Sequence, residues 1–298
     1  MSLILEVKDL VKSYNGKEVL HGISFQVEKG EVFALLGING AGKSTTLECL
    51  EGLKRYDSGS IQFFNKNGSQ SKLHNRIGIQ LQSSALPGNI TVYEAYRLFC
   101  LANKVKADKE LLERFGLKNL LYKQYSSLST GQKRRLHLVL ALVHNPEIVF
   151  LDEPTAGLDV EGQVALHEEI SKLKESGKTV LLASHDMAEV EKLCNRIAIM
   201  KEGIIGYIGR PEELIPAFSD TAEIALKTED SYELGNLNFS KYLKRDNGYD
   251  YYKSSVLSDA LLELLQFYKE NNQKVLDIKI NHATLEEKFM EFSKEGLA

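Results

Sequence analysis

Long hydrophobic runs are missing from this chain of 298 residues. The longest strongly apolar helical stretch, Leu136 to Val143, is far short of the roughly 18 residues that crossing a bilayer takes. Any work done across a membrane therefore calls for a separate partner chain. Cysteine is scarce: Cys49, Cys100 and Cys194 are far apart and form no CxxC, so they read as reduced thiols of a cytosolic protein. A strong charge imbalance is missing too. The net charge of −4 is too mild to argue for nucleic acid or a strongly acidic membrane surface as partner. No signal-peptide pattern opens the chain, and there is no internal repeat or low-complexity tract. What remains is ordinary: 43% hydrophobic and 26% charged residues suit a soluble globular protein with a real core. The length suggests one large domain, or a large one with a small companion.

The informative stretch is Gly37-Ile38-Asn39-Gly40-Ala41-Gly42-Lys43-Ser44-Thr45. It fits the phosphate-loop pattern GxxxxGK[ST] on Gly37, Gly42, Lys43 and Ser44. Val32 to Leu36 before it is a continuous apolar run, as expected of a strand buried on both faces. Thr45 to Leu50 after it can run on as a helix. Strand, glycine loop and helix start aim several backbone N–H groups and the positive end of a helix dipole at one anion. Lys43 would reach the β- and γ-phosphates, and the Ser44 hydroxyl would sit on Mg²⁺. A chance glycine-rich turn is the alternative, and the flanking elements argue against it.

Around this loop, Ile4 to Val11 and Glu18 to Val27 read as two strands broken by a turn at Asn15-Gly16, with Tyr14 just before it. Ser60 to Phe64 continues the strand pattern. Ile77 to Leu81 is another short strand, ending at Gln82. Val92 to Leu101, Lys109 to Phe115 and Leu120 to Tyr125 read as helices or helix fragments, a helical insert between strands. Leu128-Ser129-Thr130-Gly131-Gln132 then precedes a helix from Lys133 to His144 that is apolar on nearly every side, hence a core helix. Ile148 to Leu151, Thr179 to Ala183 and Arg196 to Met200 are further buried strands. Buried strands alternating with helices imply a mostly parallel sheet flanked by helices. Gly37, Asp152, Glu153 and His185 lie just past strand ends, where such sheets bind ligands. The composition changes near Pro211 to Ser219. Beyond it, strands over Ala222–Lys227, Tyr249–Ser254 and Lys274–Ile280, a helix over Asp259–Glu270, and a last helix from Thr284 through Phe292 opened by a capping-box spacing make a small α+β appendage.

The set GINGAGKST, Gln82, LSTGQ, IVFLDEP, Gly157-Leu158-Asp159 and His185 resembles, in order and spacing, the ATP-binding subunit of ABC transporters, over roughly residues 4 to 215. The resemblance implies an α/β phosphate-loop core with an antiparallel β subdomain and a helical subdomain. It implies an ABC ATP-binding domain over 1–215 (insert about 83–145), which leaves the appendage as a C-terminal α+β accessory domain over 216–298. It also implies roles. Residues Gly37, Asn39, Gly40, Ala41, Gly42, Lys43, Ser44 and Thr45 would hold the phosphates of ATP, and Tyr14 would stack on adenine. Ser44, Asp152 and Gln82 would hold Mg²⁺. Glu153 would orient or deprotonate the attacking water, with Lys43, Gln82 and His185 as catalytic partners, His185 on the γ-phosphate. Ser129, Gly131, Gln132 and Asp159 would complete the site of a second copy, so that a homodimer, or a heterodimer with a related ATPase, encloses ATP.

Bland readings stand beside these: Asp152-Glu153 as a surface pair capping a helix, Ser129 as a simple helix cap, His185 as a structural histidine. Gln80 competes with Gln82. Ile38 and Leu81 stand where many relatives carry proline, and Thr130 replaces the middle glycine of the commoner LSGGQ. Gln132-Lys133-Arg134-Arg135-Leu136 and Ala283 to Phe289 resemble the subfamily of drug, antibiotic and lipid-linked exporters with separate integral-membrane permease chains. That places the chain on the cytoplasmic face of the cell membrane as a peripheral subunit, with no nucleic-acid partner. An importer ATPase is the nearest rival. A non-transport ABC ATPase acting on ribosome or DNA is a second class.

Overall fold

The computed structural model describes residues 2–65, 69–71, 76–82, 85–218, 222–228 and 237–282. The chain divides into two compact units after Pro211.

In the first unit, β1 (Leu3–Tyr14) and β2 (Lys17–Glu28) pair antiparallel. Asn15 and Gly16 between them have φ of +50° and +78°, the left-handed pair that a tight hairpin takes. With β4 (Ser58–Phe64) and β5 (Gln70–Ser71) they form a four-stranded sheet in the order β2-β1-β4-β5.

The second sheet contains β3 (Val32–Leu36), β6 (Ile77–Gln80), β7 (Ile148–Asp152), β8 (Thr179–Ser184), β9 (Arg196–Lys201) and β10 (Ile204–Gly209), in the order β10-β9-β3-β8-β7-β6. All neighbours are parallel except β10, which returns antiparallel to β9. Every residue of β3, β7 and β8 is buried, which is why these strands read as unbroken apolar runs rather than alternating ones. One face meets the first sheet and α1 (Lys43–Leu50) through a core that includes Leu5, Leu10, Phe25, Phe33, Leu47, Phe150 and Met200. The rings of Phe25 and Phe33 stack there 5.5 Å apart.

The insert holds α2 (Val92–Ala102), α3 (Glu110–Arg114) and α4 (Thr130–Leu142), and α5 (Val160–Glu175) and α6 (Met187–Leu193) follow β7 and β8. The α/β phosphate-loop architecture is thus as expected, with local differences. Leu120–Tyr125 is no helix. Its backbone is taken up by the segment before α2, with Val92 N–H donating to Lys123 O at 3.1 Å, Tyr125 N–H to Ile90 O at 2.8 Å, and a bridge between Thr91 and Gln124. The strand β10, missed in the sequence, is a half-exposed edge interrupted by Gly206. β12 (Lys241–Asp246), also missed, is a charged edge strand, a composition that disfavours pairing with other chains.

In the second unit, β11 (Ala222–Thr228), β12, β13 (Tyr249–Ser254) and β14 (Val275–His282) form an antiparallel sheet in the order β12-β13-β11-β14; α7 (Pro211–Phe218) spans the division. Ala260, Leu264 and Tyr268 lie one helical turn apart on α8 (Leu257–Glu270), and they pack on Ile224, Leu226 and Tyr252. The Tyr252 and Tyr268 hydroxyls meet at 2.6 Å inside this core. The helix expected from Thr284 to Phe292 lies outside the described residues.

Candidate functional site

The loop leaves β3 and turns into α1 with no side chain capping the helix. The first N–H groups of a helix have no partner within it, so an uncapped end beside a glycine loop is a place for an anion. Gly37 donates its N–H to Ser184 O at 3.3 Å, which ties the loop to the end of β8, and Ala41 N–H closes a turn on Ile38 O at 3.2 Å. Two glycines are needed sterically. A Cβ on Gly37 would lie 2.6 Å from Met200 O, and one on Gly42 would lie 2.8 Å from Leu20 Cδ2 on a backbone with φ of +103°. Gly40, Ala41, Asn39 and Thr45 lie on the same turn and first helical positions.

Lys43 is buried, and its ammonium donates to Gly37 O at 2.7 Å and Ile38 O at 3.3 Å. It also lies 3.4 Å from Glu153 Oε1. The other oxygen, Glu153 Oε2, is 2.6 Å from Nδ1 of the half-exposed His185. Glu153 sits at φ +47° with its N–H on Ala183 O at 3.0 Å. A glutamate held left-handed costs on the order of 1 kcal/mol and is found where a site over-determines it. The bond to β8 fixes that turn and aims the carboxylate at Lys43. Ser44 Oγ donates to Asp152 Oδ1 at 3.2 Å. Burial pushes the Asp152 carboxyl up, against the Ser44 hydrogen bond that lowers it. Both carboxylates are buried, 7% and 5% exposed, so the reading of a surface helix-capping pair is overturned.

This donor set suits a hard cation. A hydroxyl and a desolvated carboxylate within hydrogen-bond reach match Mg²⁺, which keeps waters and phosphate oxygens as its other ligands. Among the described residues no group of three or more His, Cys, Asp or Glu is placed to hold a metal by itself.

Two expected residues stand apart. Gln82 is exposed on a turn two residues past β6, and no described hydrogen bond joins it to Ser44 or Asp152. Gln80 is buried with neither amide atom paired. Tyr14, at the end of β1, has the ammonium groups of Lys12 and Lys54 over its ring at 5.1 and 5.0 Å.

A second cluster forms away from the loop. Ser129 caps α4: its Oγ accepts from Gln132 N–H at 3.3 Å, and Gln132 Oε1 accepts from Ser129 N–H at 3.1 Å. The side chain of Gln132 is therefore part of the cap. Asp159 caps α5 through Gly162 N–H at 2.9 Å. The two caps face one cavity of about 600 Å³, lined by Ser129, Gly131, Gln132, Arg135, Asp159 and neighbours. Two helix N-termini thus open into one space, which again favours an anion.

Sequence reasoning missed Glu51. It ends α1 buried, with both carboxylate oxygens unpaired, and burial, reinforced by Asp152 and Glu48, pushes it up to about 7. A glutamate just past a helix gives no sign in sequence that it is inside.

Fold and loop together define a phosphate-loop nucleotide-hydrolysing protein of the α/β class. The family model described as "ABC transporter" matches residues 20–156. The linearmycin resistance ATP-binding protein of Bacillus subtilis is 37% identical over 219 residues, 71% of this chain and 70% of that one. The Nod factor export ATP-binding protein I of Burkholderia thailandensis is 38% identical over 219 residues, 71% and 72% of the two chains. A spermidine/putrescine import ATP-binding protein of Mycoplasma mycoides is 36% identical over 71% of this chain and 62% of its own. The solved structure of an ATP-binding subunit of an ABC transporter superposes with a TM-score of 0.64 at 30% identity, over 72% of this chain and 93% of that one. The chain belongs to the ATP-binding proteins of ABC transporters, a family of ATPases. No helix among the described residues is long and apolar enough to cross a membrane.

Proposed function

We propose that this chain dimerises around ATP and powers export through separate membrane-spanning permease chains, from the cytoplasmic face of the membrane. The observation that carries the reading is the pairing of two half-sites. One is the Lys43–Glu153–His185 and Ser44–Asp152 constellation at the loop; the other is the cavity at Ser129–Gln132 and Asp159, built on different elements of the same unit. A half-site of helix N-termini that does not face its own phosphate loop is complete when a twofold-related copy supplies one. In this reading residues 1–215 are the ATP-binding domain, with its helical insert at about 83–145, and 216–298 an accessory domain.

Gly37 to Thr45 cradle the triphosphate, with Lys43 leaving its carbonyl partners for the phosphate oxygens. Ser44 and Asp152 would hold Mg²⁺, with Gln82 reaching in from its turn; the ion supplies charge neutralisation on the phosphates. Glu153 accepts a hydrogen bond from the attacking water and then its proton. His185 keeps the other carboxylate oxygen in place and faces the γ-phosphate from its exposed side. Tyr14 stacks on the base once the ammonium groups over its ring move aside. Loss of the γ-phosphate removes a contact that both copies share, and the dimer opens.

The permease docks beside Gln82 and the helical insert. There Leu101 is 69% and Tyr122 78% exposed, with Leu81 and Leu98 also open. Apolar side chains left open on these elements support this docking face. Export rests on the Gln132–Leu136 segment and on relatives named for resistance and for export. Import is the second reading, favoured by the relatives named for spermidine/putrescine import. Affinity capture of the chain from detergent-solubilised membranes tests the assignment. Multi-span membrane proteins are expected to co-purify, and capture of ribosomes or DNA in their place would overturn it.

A further inference from the structure

The loop that follows Gln82 is laced to the segment that runs into the LSTGQ turn. Ser126 N–H donates to Gly88 O at 2.9 Å, Tyr125 N–H to Ile90 O at 2.8 Å, and Val92 N–H to Lys123 O at 3.1 Å. This zipper ends in a side chain. Tyr125, in the short 3-10 turn just before Leu128, is 8% exposed and points its hydroxyl to Nε2 of His137 at 2.9 Å, the two rings edge to face. Burial pushes the Tyr125 hydroxyl up, and the Leu86 backbone beside it acts the other way. His137 lies on the second turn of α4, the helix whose first residues are Thr130, Gly131 and Gln132. One turn earlier on α4, Lys133 reaches over the Tyr125 ring at 5.2 Å.

The charge state of His137 follows from burial. Desolvation, with Arg134 nearby, holds the imidazole neutral, down at about 4. A neutral ring has one donor and one acceptor nitrogen, and a phenol can answer either, so Nε2 and the Tyr125 hydroxyl share a hydrogen bond that carries no charge. One phenol therefore joins the backbone that follows Gln82 to the helix of the LSTGQ turn. Arg134, on the same helix, is half-buried and feels the charges of Asp152 and Glu153. Its guanidinium lies 3.5 Å from Ala156 O, so α4 also bears on the segment after Glu153.

We propose that Tyr125 and His137 are positioning residues for ATP hydrolysis: their hydrogen bond makes the Ser129–Gln132 turn follow the loop that begins at Gln82. Neither touches the nucleotide. They set the angle at which α4 presents its N-terminus to a second copy, so that a push on the Gln82 loop from outside changes how well the dimer closes. The inference rests on the proposed function, since it takes dimer closure as the event being tuned.

The test uses the full chain carrying Glu153→Gln, with sedimentation to measure dimerisation in ATP and Mg²⁺, and a fluorescent ATP analogue to measure single-chain affinity. Tyr125→Phe keeps the ring and removes the hydroxyl. It is expected to weaken the ATP-dependent dimer about fivefold, the worth of one neutral hydrogen bond, while analogue affinity stays unchanged. His137→Ala should act alike, the double variant should be no worse than either single one, and His137→Gln, whose amide can bond the phenol, should recover most of the loss. Dimerisation unaffected by either single change, or losses that simply add in the double variant, would overturn the proposal. A parent Glu153→Gln chain that binds the analogue yet never dimerises would bring down the proposed function together with it. A parent that dimerises alongside variants that match it brings down this inference alone.

Discussion

Replacing Glu153 by glutamine is the change whose consequences the geometry specifies most fully. The carboxylate has one oxygen 3.4 Å from the Lys43 ammonium and the other 2.6 Å from His185 Nδ1, in a pocket where Glu153 is 5% exposed. An amide fills the same space, so the fold is kept, but it takes no proton from water. Loss of a positioned base costs about 100- to 10,000-fold in turnover, or roughly 3 to 5 kcal/mol of barrier. Nucleotide binding should move the other way. Without ATP, Lys43 loses its counter-ion but keeps its bonds to Gly37 O and Ile38 O. The variant should therefore lose less than the roughly 3 to 5 kcal/mol of a buried charge left wholly unpaired. With ATP the phosphates replace that counter-ion, and one negative charge beside them is gone. The expected pattern is a lower melting temperature without nucleotide, a larger upward shift with ATP, and turnover nearly abolished. Malachite-green phosphate release and thermal melts with and without Mg-ATP read all three. Turnover within a few-fold of the parent, or ATP affinity lost along with turnover, would refute the assignment.

Gly42→Ala should impair ATP binding, because the new Cβ meets Leu20 Cδ2 at 2.8 Å on a backbone at φ +103°; the left-handed backbone alone costs about 1 to 2 kcal/mol, read in urea unfolding and analogue titration. Ser44→Ala should raise the Mg²⁺ concentration for half-maximal ATPase activity severalfold while leaving the melting temperature close to the parent's. Glu51 gives a pH signature. Its folded carboxyl is raised from 4.5 to about 7, so the folded chain holds a proton that the unfolded chain releases. Stability from this residue is present below pH 4.5 and is lost as pH rises through 7, a loss of up to roughly 3 kcal/mol at about 1.4 kcal/mol per pH unit. Glu51→Gln should therefore match the parent in urea at pH 4.5 and exceed it at pH 8; equal gains at both would remove the effect from Glu51.

Much of this was legible in the amino-acid order because the residues concerned are fixed by local physics. Val32–Leu36, Ile148–Leu151 and Thr179–Ala183 are apolar without interruption because both faces of the sheet are covered. The hairpin at Asn15-Gly16 and the Ser129 cap are short-range geometry. What escaped depends on distant neighbours. Leu120–Tyr125 has helix-forming residues, yet its backbone groups are claimed by residues 90–93. The edge strand β12, with its charged residues, gains its state only from β13. The pairing of Tyr125 with His137, and the burial of Glu51, belong to packing between segments, which periodicity does not report. The reach of Glu153 to both Lys43 and His185 joins three loops that are far apart in sequence.

The claim under most strain is that ATP is hydrolysed in a site shared by two chains. Mixing two inactive variants tests it directly. Lys43→Ala disables the phosphate loop, and Gly131→Asp places a charge in the cavity at the Ser129–Gln132 turn, where an added Cβ meets only Leu158 Cδ2 at 3.8 Å and the fold is undisturbed. In a head-to-tail dimer, half of the random pairings are mixed, and each of these has one site with an intact loop facing an intact turn. The mixture is therefore expected to regain about a quarter of the parent's ATPase activity. A mixture as inactive as its components, with both variants folded and dimerising, would contradict the account.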